Sequence, residues 1–450
     1  MRRDSSTVEI GELIDNSNLT PARLRIVVLC ACVVLLDGYD IQTMALAVPS
    51  LVDAWGLPAA AFTLPLSASV LGMLIGTAIV APAGDRFGRR PLLIWGMVLV
   101  GGASLATAFS ATPAELVLWR LLTGIGLGCS LPNATALTSE YVPKRTRAFS
   151  ITAMYISIAL GALIAGFTAP ALIGRFGWRA LFVVGGALPL VVALVLAVHI
   201  PESVRLLLAH RPGDRRIESI LRRFFPAADP NQVVAGGEPT LARRSVLALF
   251  EPAYRARTAL LWAVFALNLF VLFVLISWLP AILTDAGFSP AAALRGAVLI
   301  QGGGILGGLL IARLVDRGLT IPAMVTAYLI VAAAFAAFLV VPAEVFLWSA
   351  LLCIVGAGVS GTQGALTALS AIFYPPGIRA TGAGWASACG RAGAVLGPLA
   401  GGLVLGRLDL APAAHLALLI PPILLCAACV AALRYAWRPA ADSAAQSSPS

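Results

Sequence analysis

Residues 84–90 read Gly84-Asp85-Arg86-Phe87-Gly88-Arg89-Arg90, a short charged loop between two long apolar runs. A related stretch, Val315-Asp316-Arg317-Gly318, follows another apolar run later in the chain. The similarity extends upstream of both loops at a constant shift of 231 residues: Gly72, Gly76, Asp85 and Arg86 recur as Gly303, Gly307, Asp316 and Arg317. An internal repeat of this length indicates two halves of similar architecture.

The apolar runs on either side of these loops predict membrane-spanning helices. Of the 450 residues, 59% are hydrophobic and 12% are charged, whereas a soluble domain carries about 25% charged residues. Twelve runs reach about the length that a bilayer requires. They cover residues 24–49, 61–84, 92–110, 114–139, 148–172, 180–200, 258–283, 290–314, 321–341, 344–372, 381–405 and 413–436. We therefore expect an all-helical integral membrane protein of two six-helix bundles, an arrangement typical of secondary transporters with a site between the halves.

The polar stretches divide the chain into five segments. We expect an N-terminal segment at 1–23, bundles at 24–200 and 258–436, a polar insert at 201–257 and a disordered tail at 437–450. Residues 214–225 of the insert predict a short amphipathic helix on the membrane surface, although a solvated linker explains them equally well.

The distribution of basic residues predicts the orientation in the membrane. Most arginines lie in one set of loops, and the opposite set contains only Arg175, Arg179, Arg295 and Arg407. By the positive-inside rule, the insert and both termini are expected on the cytoplasmic side of the cell inner membrane. The net charge of +10 is explained by this topology, so we expect no nucleic-acid partner.

Two acidic residues interrupt the first apolar run, in Leu35-Leu36-Asp37-Gly38-Tyr39-Asp40. Each charged residue at the centre of a membrane helix costs about 2.5–3.5 kcal/mol on insertion scales. Their i, i+3 spacing places Asp37 and Asp40 on one face of a helix. The pattern favours a proton or ligand site facing a cavity over the alternative, a loop between two shorter helices.

Two arginines lie inside later apolar runs, Arg120 in the fourth and Arg391 in the eleventh. With Asp37 and Asp40 they bring the intramembrane charge to zero. They either neutralise the aspartates and hold the halves together, or one of them binds a substrate carboxylate through its planar fork. An anionic substrate together with a proton on one aspartate would leave such a site neutral.

Other polar residues fall into two candidate groups. Glu140 ends the fourth run and is expected to act as a cytoplasmic gate or as a partner of the Asp85–Arg90 loop. The expected gating group is Asp85, Arg86, Arg89, Arg90, Glu140, Arg147, Asp316, Arg317 and Arg379. Side chains that could line a cavity and bind substrate are Tyr39, Asn133, Tyr155, Asn268, Trp278, Gln301, Gln363 and Trp385, although any one of them is more often a packing residue.

Motifs of other protein classes are missing. The sequence contains no phosphate-binding Gly-x-x-x-x-Gly-Lys motif, no histidine spacing typical of a metal site and no nucleophile elbow. We therefore expect no catalytic residues, no metal and no cofactor, and the protein is not expected to be an enzyme. The seven cysteines lie in apolar runs and are expected to be packing residues.

Taken together, the motifs resemble the aromatic acid:proton symporter family of the major facilitator superfamily. The resemblance is carried by the residue 84–90 loop, Asp37-Gly38-Tyr39-Asp40, Val8–Asp15, Pro132-Asn133, Ser139-Glu140-Tyr141, Pro201–Arg205, Ser277–Pro280, Arg379–Gly382 and Gly390-Arg391. It implies that Asp37, Asp40, Arg120, Glu140 and Arg391 are needed for uptake. The loop at Asp316 departs from the family pattern, since it lacks a second Gly-Arg-Arg and a following histidine.

The resemblance implies a proton-coupled symporter that imports a small aromatic carboxylate, such as 4-hydroxybenzoate, protocatechuate or benzoate, by alternating access. Its expected partners are this substrate, protons and the lipid bilayer, and it is expected to function as a monomer. The alternative is a facilitator for another substrate, such as a sugar, a dicarboxylate or an organic ion, or an efflux carrier. A membrane receptor built on a transporter fold is a further alternative.

Overall fold

The computed structural model describes residues 8–210, 213–225, 232–234, 249–252, 254–374, 378–408 and 410–436. Its regular structure is helical, apart from a short parallel pairing of Val8–Glu9 with Val233–Val234. The chain divides into two compact units. One comprises Met1–Pro239 with Ala293–Val298, and the other comprises Thr240–Ala292 with Leu299–Ser450.

Long helices occupy the six apolar runs of the first half. Spans one to six are Pro21–Trp55, Ala59–Phe87, Arg89–Ala108, Pro113–Tyr141, Lys144–Phe176 and Arg179–His199. Span two changes its winding along its length, because the α-helix Thr63–Ile75 is followed by a π-helical turn at Gly76–Val80 and by short helical turns up to Phe87.

The second half contains the corresponding spans seven to twelve. Spans seven, eight, nine and eleven are Arg255–Asp285, Pro290–Asp316, Thr320–Ala337 and Arg379–Arg407. Span ten consists of Val345–Val359 and Thr362–Phe373, and span twelve of Pro412–Ala417 and Ile420–Ala436.

The membrane-spanning character of the fold is confirmed. Among the described residues, eleven helices are long and apolar enough to cross a membrane, and a twelfth is added if Ile10–Asn16 and Pro21–Trp55, which meet at 99°, form one span. Asp37 and Asp40 lie within the uninterrupted helix Pro21–Trp55. The alternative that placed them in a loop between shorter helices is therefore wrong.

The amphipathic stretch of the insert forms a helix, Arg215–Phe224, but its apolar face packs on protein. Ile217, Leu221 and Phe224 are buried, and the Phe224 ring packs edge-on against Tyr141 of span four, with 5.4 Å between ring centroids. Placing this face on the membrane surface was wrong, and so was the alternative of a solvated linker, because burying apolar area against protein removes it from both environments.

The segment before span one, which we call the hook (Val8–Thr20), is anchored to the start of span five. One carboxylate oxygen of Asp15 accepts a hydrogen bond from the backbone N–H of Lys144 (3.0 Å), the first residue of that span. Asp15 also forms ion pairs with Lys144 Nζ at 3.1 Å and Arg147 at 3.4 Å. Burial alone would raise the pKa of Asp15, but these hydrogen bonds and charges outweigh it and lower the pKa below its ordinary value.

A second anchor of the hook is Arg23, whose side chain is fully buried. Its Nε donates a hydrogen bond to the carbonyl of Tyr141 (2.6 Å), and its Nη1 donates to Ser17 Oγ and to the Asn18 carbonyl. The guanidinium also lies 4.7 Å from the centre of the Phe225 ring in the insert. Arg23 thus ties the hook, the end of span four and the insert together, within the first unit.

The sequence repeat corresponds to the same helix contact in each unit. In the first unit, a Cβ at Gly72 of span two would lie 2.2 Å from the carbonyl oxygen of Leu121 in span four. In the second unit, a Cβ at Gly303 of span eight would lie 2.1 Å from the carbonyl oxygen of Cys353 in span ten. Because neither position has room for a side chain, close helix packing explains why Gly72 and Gly303 are glycines.

Span one, which carries the two aspartates, touches span five backbone to backbone. A Cβ at Gly38 would lie 1.9 Å from the Ile158 carbonyl oxygen, and a Cβ at Gly161 would lie 1.8 Å from the Leu35 carbonyl oxygen. Gly38 lies between Asp37 and Asp40 in sequence. Its face of the helix is therefore occupied by span five, and this contact fixes how span one is rotated.

We expect Gly161→Ala to destabilise the protein and to impair its activity, because the added methyl group would push span one away from span five. Overpacking of this kind costs about 1–3 kcal/mol. The measurement is the melting temperature in detergent, together with substrate uptake. Gly174→Ala in the same span is the matched control, since no atom lies within 4 Å of the position of its Cβ. Equal melting temperatures for the two variants would contradict the packing argument.

Candidate functional site

The centre of the first unit holds a buried ion pair between span one and span four. Arg120 Nη1 donates to Asp40 Oδ1 at 2.6 Å and Nη2 donates to Oδ2 at 2.7 Å. Nη2 also lies 3.3 Å from the backbone carbonyl of Asp40. Asp40 is 2% exposed and Arg120 1% exposed. This is the two-pronged geometry in which a guanidinium binds a carboxylate most strongly.

The described residues around the pair supply few further polar contacts. Ser104 of span three donates to Asp40 Oδ1 at the long distance of 3.5 Å, and the guanidinium lies 6.0 Å from the centre of the Phe182 ring. The Nε of Arg120 is buried and has no hydrogen-bond partner among the described residues. The electrostatic interaction is strong in such an environment, and a charge left without its partner would be costly.

Asp37 lies one turn before Asp40 and is equally buried, at 3% exposed. Within the described part of the chain no hydrogen bond or ion pair joins it to Arg120, whose two terminal nitrogens both donate to Asp40. Tyr39, between the two acids, donates from its hydroxyl to the Leu181 carbonyl of span six at 3.3 Å. The structure therefore brings Asp40 and Arg120 together and gives Asp37 a separate environment.

The charged loop at 84–90 is held by an acid from the insert, Glu202. The loop turns at Gly88, whose φ of 111° favours glycine. Glu202 Oε1 accepts hydrogen bonds from the backbone N–H groups of Arg89 (2.9 Å) and Arg90 (3.2 Å), the first two residues of span three. A carboxylate at a helix N-terminus satisfies free N–H groups and complements the helix dipole.

Glu140 joins the same cluster, which we call the loop cluster (Asp85, Arg89, Arg90, Glu140 and Glu202). The Arg89 side chain forms ion pairs with Glu140 and, at 3.4 Å, with Asp85. The guanidinium of Arg90 donates to a backbone carbonyl near the end of span six. The loop cluster thereby connects the ends of spans two, three, four and six within the first unit.

Sequence reasoning missed the part played by Glu202. The sequence feature that could have pointed to Glu202 is the acid directly after span six, in Pro201-Glu202-Ser203. An acid at a span boundary is common at a membrane surface, so its position did not indicate that it caps another helix.

The other predicted residues are more scattered. Asn133 donates to the carbonyls of Cys129 and Ala81, beside the 84–90 loop and away from Arg120. Trp278 is fully buried, and its indole N–H donates to the Pro398 carbonyl at 2.9 Å. Trp385 is 45% exposed and stacks on Trp262.

The remaining candidates differ in their exposure. Arg391 is half-buried on span eleven, Gln301 is buried on span eight, and Tyr155 is exposed and within 3.3 Å of Thr135. Arg86 and Arg317 are exposed, and Arg147 donates to Asp15 and to the Val142 carbonyl. The helix positions of Asp316 and Arg379 are known, but their side chains lie outside the part of the chain that the structure describes.

The second unit contains a buried polar cluster that the sequence did not predict. Asn268 of span seven, Tyr328 of span nine and Thr362 of span ten are fully buried and hydrogen-bonded to one another, and Asn268 also bonds Gln363. Two of its members, Asn268 and Gln363, were candidates from the sequence, but nothing in the sequence connected them.

Comparison with known proteins identifies the family. The family model of the Major Facilitator Superfamily matches residues 30–398 and 303–449. The chain is 36% identical over 402 residues to the 4-hydroxybenzoate transporter PcaK of Pseudomonas aeruginosa, covering 89% of this chain and 90% of that protein. It is 34% identical over 399 residues to a gallate transporter of Pseudomonas putida, covering 88% and 89% of the two chains.

Solved structures support the same assignment at the level of the fold. A partially occluded inward-open structure of the xylose transporter XylE from E. coli matches 93% of this chain and 98% of its own, with a TM-score of 0.69 and 20% identity. The resemblance deduced from the motifs is thus confirmed by independent comparisons. The chain belongs to the Major Facilitator Superfamily, and it is a multi-pass membrane transporter and not an enzyme.

Proposed function

We propose that this protein is a proton-coupled symporter that imports a small aromatic carboxylate of the hydroxybenzoate class by alternating access. The observation that carries the proposal is the buried Asp40–Arg120 pair with a second buried acid, Asp37, one turn away. Relatives named for 4-hydroxybenzoate, gallate and benzoate support the substrate class. The protein functions as a monomer in the cell inner membrane, with both termini cytoplasmic.

The two aspartates have different tasks. Asp40 accepts two hydrogen bonds from Arg120, and a proton on this carboxylate would break the pair and leave a buried guanidinium without its counter-ion. Asp40 is therefore assigned as the fixed partner of Arg120. Asp37 lies outside the fork and is the proton carrier, since intramembrane acids of transporters commonly serve as proton relays.

The substrate carboxylate is bound by Arg391. Both terminal nitrogens of Arg120 already donate to Asp40, whereas Arg391 is half-buried on span eleven. Its planar fork suits a carboxylate. When an anionic substrate arrives with a proton for Asp37, the net intramembrane charge of the loaded carrier equals that of the empty one.

The loop cluster acts as a gate on the cytoplasmic side. Its ion pairs and its capped helix end join spans two, three, four and six in the conformation described here. Releasing these contacts would allow the ends of the helices to separate. We assign Asp85, Arg89, Arg90 and Glu140 to this role and add Glu202 to them.

The function is tested by uptake of radiolabelled 4-hydroxybenzoate into proteoliposomes, with and without an inward proton gradient. We expect accumulation that depends on the gradient and is blocked by unlabelled benzoates but not by sugars or dicarboxylates. Flux of a sugar or a dicarboxylate in place of the aromatic acid would overturn the substrate class. Equal uptake with and without the proton gradient would contradict the proposed proton coupling.

Asp37→Asn and Asp40→Asn should fail in different ways. Asp37→Asn leaves the Asp40–Arg120 pair intact, so the variant should fold and exchange labelled for unlabelled substrate, but it should no longer accumulate substrate with a proton gradient. Asp40→Asn leaves the buried charge of Arg120 without its counter-ion, which costs about 3–5 kcal/mol. This variant should have a lower melting temperature and should neither exchange nor accumulate substrate.

A double variant provides the control. Adding Arg120→Gln to Asp40→Asn removes the stranded charge and should recover part of the melting temperature without recovering transport. The division of tasks is wrong if Asp37→Asn still accumulates substrate in response to a proton gradient, or if Asp40→Asn melts at the temperature of the unsubstituted protein.

Arg391→Lys tests the carboxylate site. Lysine keeps the positive charge but loses the two-pronged geometry, so we expect KM for 4-hydroxybenzoate to rise about tenfold or more with little change in melting temperature. Arg407→Lys, at the exposed end of the same span, is the matched control and should behave as the unsubstituted protein. An unchanged KM in Arg391→Lys would remove this residue from the binding site.

A further inference from the structure

The buried polar cluster of the second unit has no task in the function described so far. It consists of Asn268, Tyr328 and Thr362, each 0% exposed, together with the side chain of Gln363. Burying this many polar groups in a membrane protein is unfavourable unless the groups satisfy one another. A network that does so becomes rigid, and such rigidity is useful where one side chain must be held in a defined orientation.

The hydrogen bonds determine the orientation of every amide in the cluster. Asn268 Nδ2 donates to the Val359 carbonyl (3.2 Å), so its Oδ1 is the atom that accepts from the hydroxyl of Tyr328 (3.1 Å). Asn268 Nδ2 lies 2.9 Å from the Gln363 amide. Because this nitrogen is a donor, the Gln363 atom facing it must be the acceptor Oε1, and the NH₂ group of Gln363 must point the other way.

The cluster lies at the break in span ten. Val359 is the last residue of the first helical part, and Thr362 and Gln363 are the first residues of the second part. Thr362 Oγ1 donates to the Val359 carbonyl (3.0 Å), across the break, and is within 3.2 Å of the Tyr328 hydroxyl. The break is thus bridged by side chains, which fixes the position of Gln363 at the start of the second part.

The NH₂ group of Gln363 is available to a ligand. Gln363 is half-buried, and within the described part of the chain no hydrogen bond is made by its side-chain nitrogen. A fixed amide with two outward N–H groups recognises a hydrogen-bond acceptor.

We infer that Gln363 selects aromatic acids with a ring hydroxyl, by donating an N–H to the hydroxyl oxygen, and that Asn268, Tyr328 and Thr362 are its positioning residues. This inference rests on the proposed function, in which Arg391 binds the carboxylate and leaves the ring substituent to other side chains. A donor that is satisfied by a hydroxyl and left unpaired by its absence discriminates between the two substrates.

The test compares 4-hydroxybenzoate with benzoate in proteoliposome counterflow. Gln363→Met keeps the length of the side chain and removes its N–H donors. We expect kcat/KM for 4-hydroxybenzoate to fall about tenfold, while kcat/KM for benzoate stays within about twofold. Tyr328→Phe removes one hydrogen bond that positions Asn268 and should shift the same ratio in the same direction by a smaller factor. Thr367→Ala is the control and should leave the ratio unchanged, because the exposed Thr367 hydroxyl donates to the backbone carbonyl of Gln363 (3.1 Å) and not to its side-chain amide.

The possible results distinguish a failure of the role assigned to Gln363 from a failure of the proposed transport function. A parallel loss for both substrates in Gln363→Met, or no change in their ratio, would overturn the role of Gln363 and leave the aromatic-acid carrier standing. If the unsubstituted protein moves neither acid, the proposed function fails and the inference fails with it. If Gln363→Met does not fold, Tyr328→Phe still tests the inference. An unchanged ratio of kcat/KM for 4-hydroxybenzoate to that for benzoate in Tyr328→Phe would contradict the positioning role.

Discussion

The ion pair between Asp40 and Arg120 is the constraint on which the rest of the first unit depends. Both groups are buried in a helical bundle of apolar composition, where each charge alone would cost several kcal/mol. The pair is tolerable only if spans one and four stay at the separation and rotation that allow two hydrogen bonds at once. The packing around it must therefore be rigid, and small residues supply that rigidity.

The glycines explain how the helices reach this separation. Gly38 and Gly161 allow spans one and five to touch through their backbones, and Gly72 allows spans two and four to do the same. Without a hydrophobic driving force between helices in lipid, close packing of this kind is a main source of association. Asp37 and Asp40 flank Gly38 in sequence, so the contact that holds span one also determines where its acids lie.

Much of this could be predicted from the sequence, because the bilayer imposes simple rules on composition. The spans followed from the lengths of apolar runs, and the repeat from residues at a constant shift. That buried acids and arginines would be paired followed from their cost. The choice of partner could not be predicted, because it depends on the relative rotation of helices that are about 80 residues apart in sequence. The same limit applies to Glu202, whose partners are N–H groups of a helix more than 100 residues away.

The insert shows a different kind of limit. Its amphipathic pattern predicted a helix with one apolar face, and that face exists, but amphipathicity indicates only that something apolar covers it. In a membrane protein a bilayer surface and a protein surface are equally good candidates, and the sequence pattern is the same for both. The apolar face packs on protein because Arg23 and Tyr141 form part of a binding surface for the insert at the ends of spans one and four.

The Asp40–Arg120 pair and the cluster around Asn268 have different physical properties, and the difference suits a carrier. The Asp40–Arg120 pair is strong but intolerant of change, because adding a proton or removing a partner leaves an isolated charge. The cluster around Asn268 is neutral, so it can position Gln363 without a charge that must be compensated. In the proposed mechanism these two networks hold the helices in place, Asp37 exchanges the proton and Arg391 binds the anion.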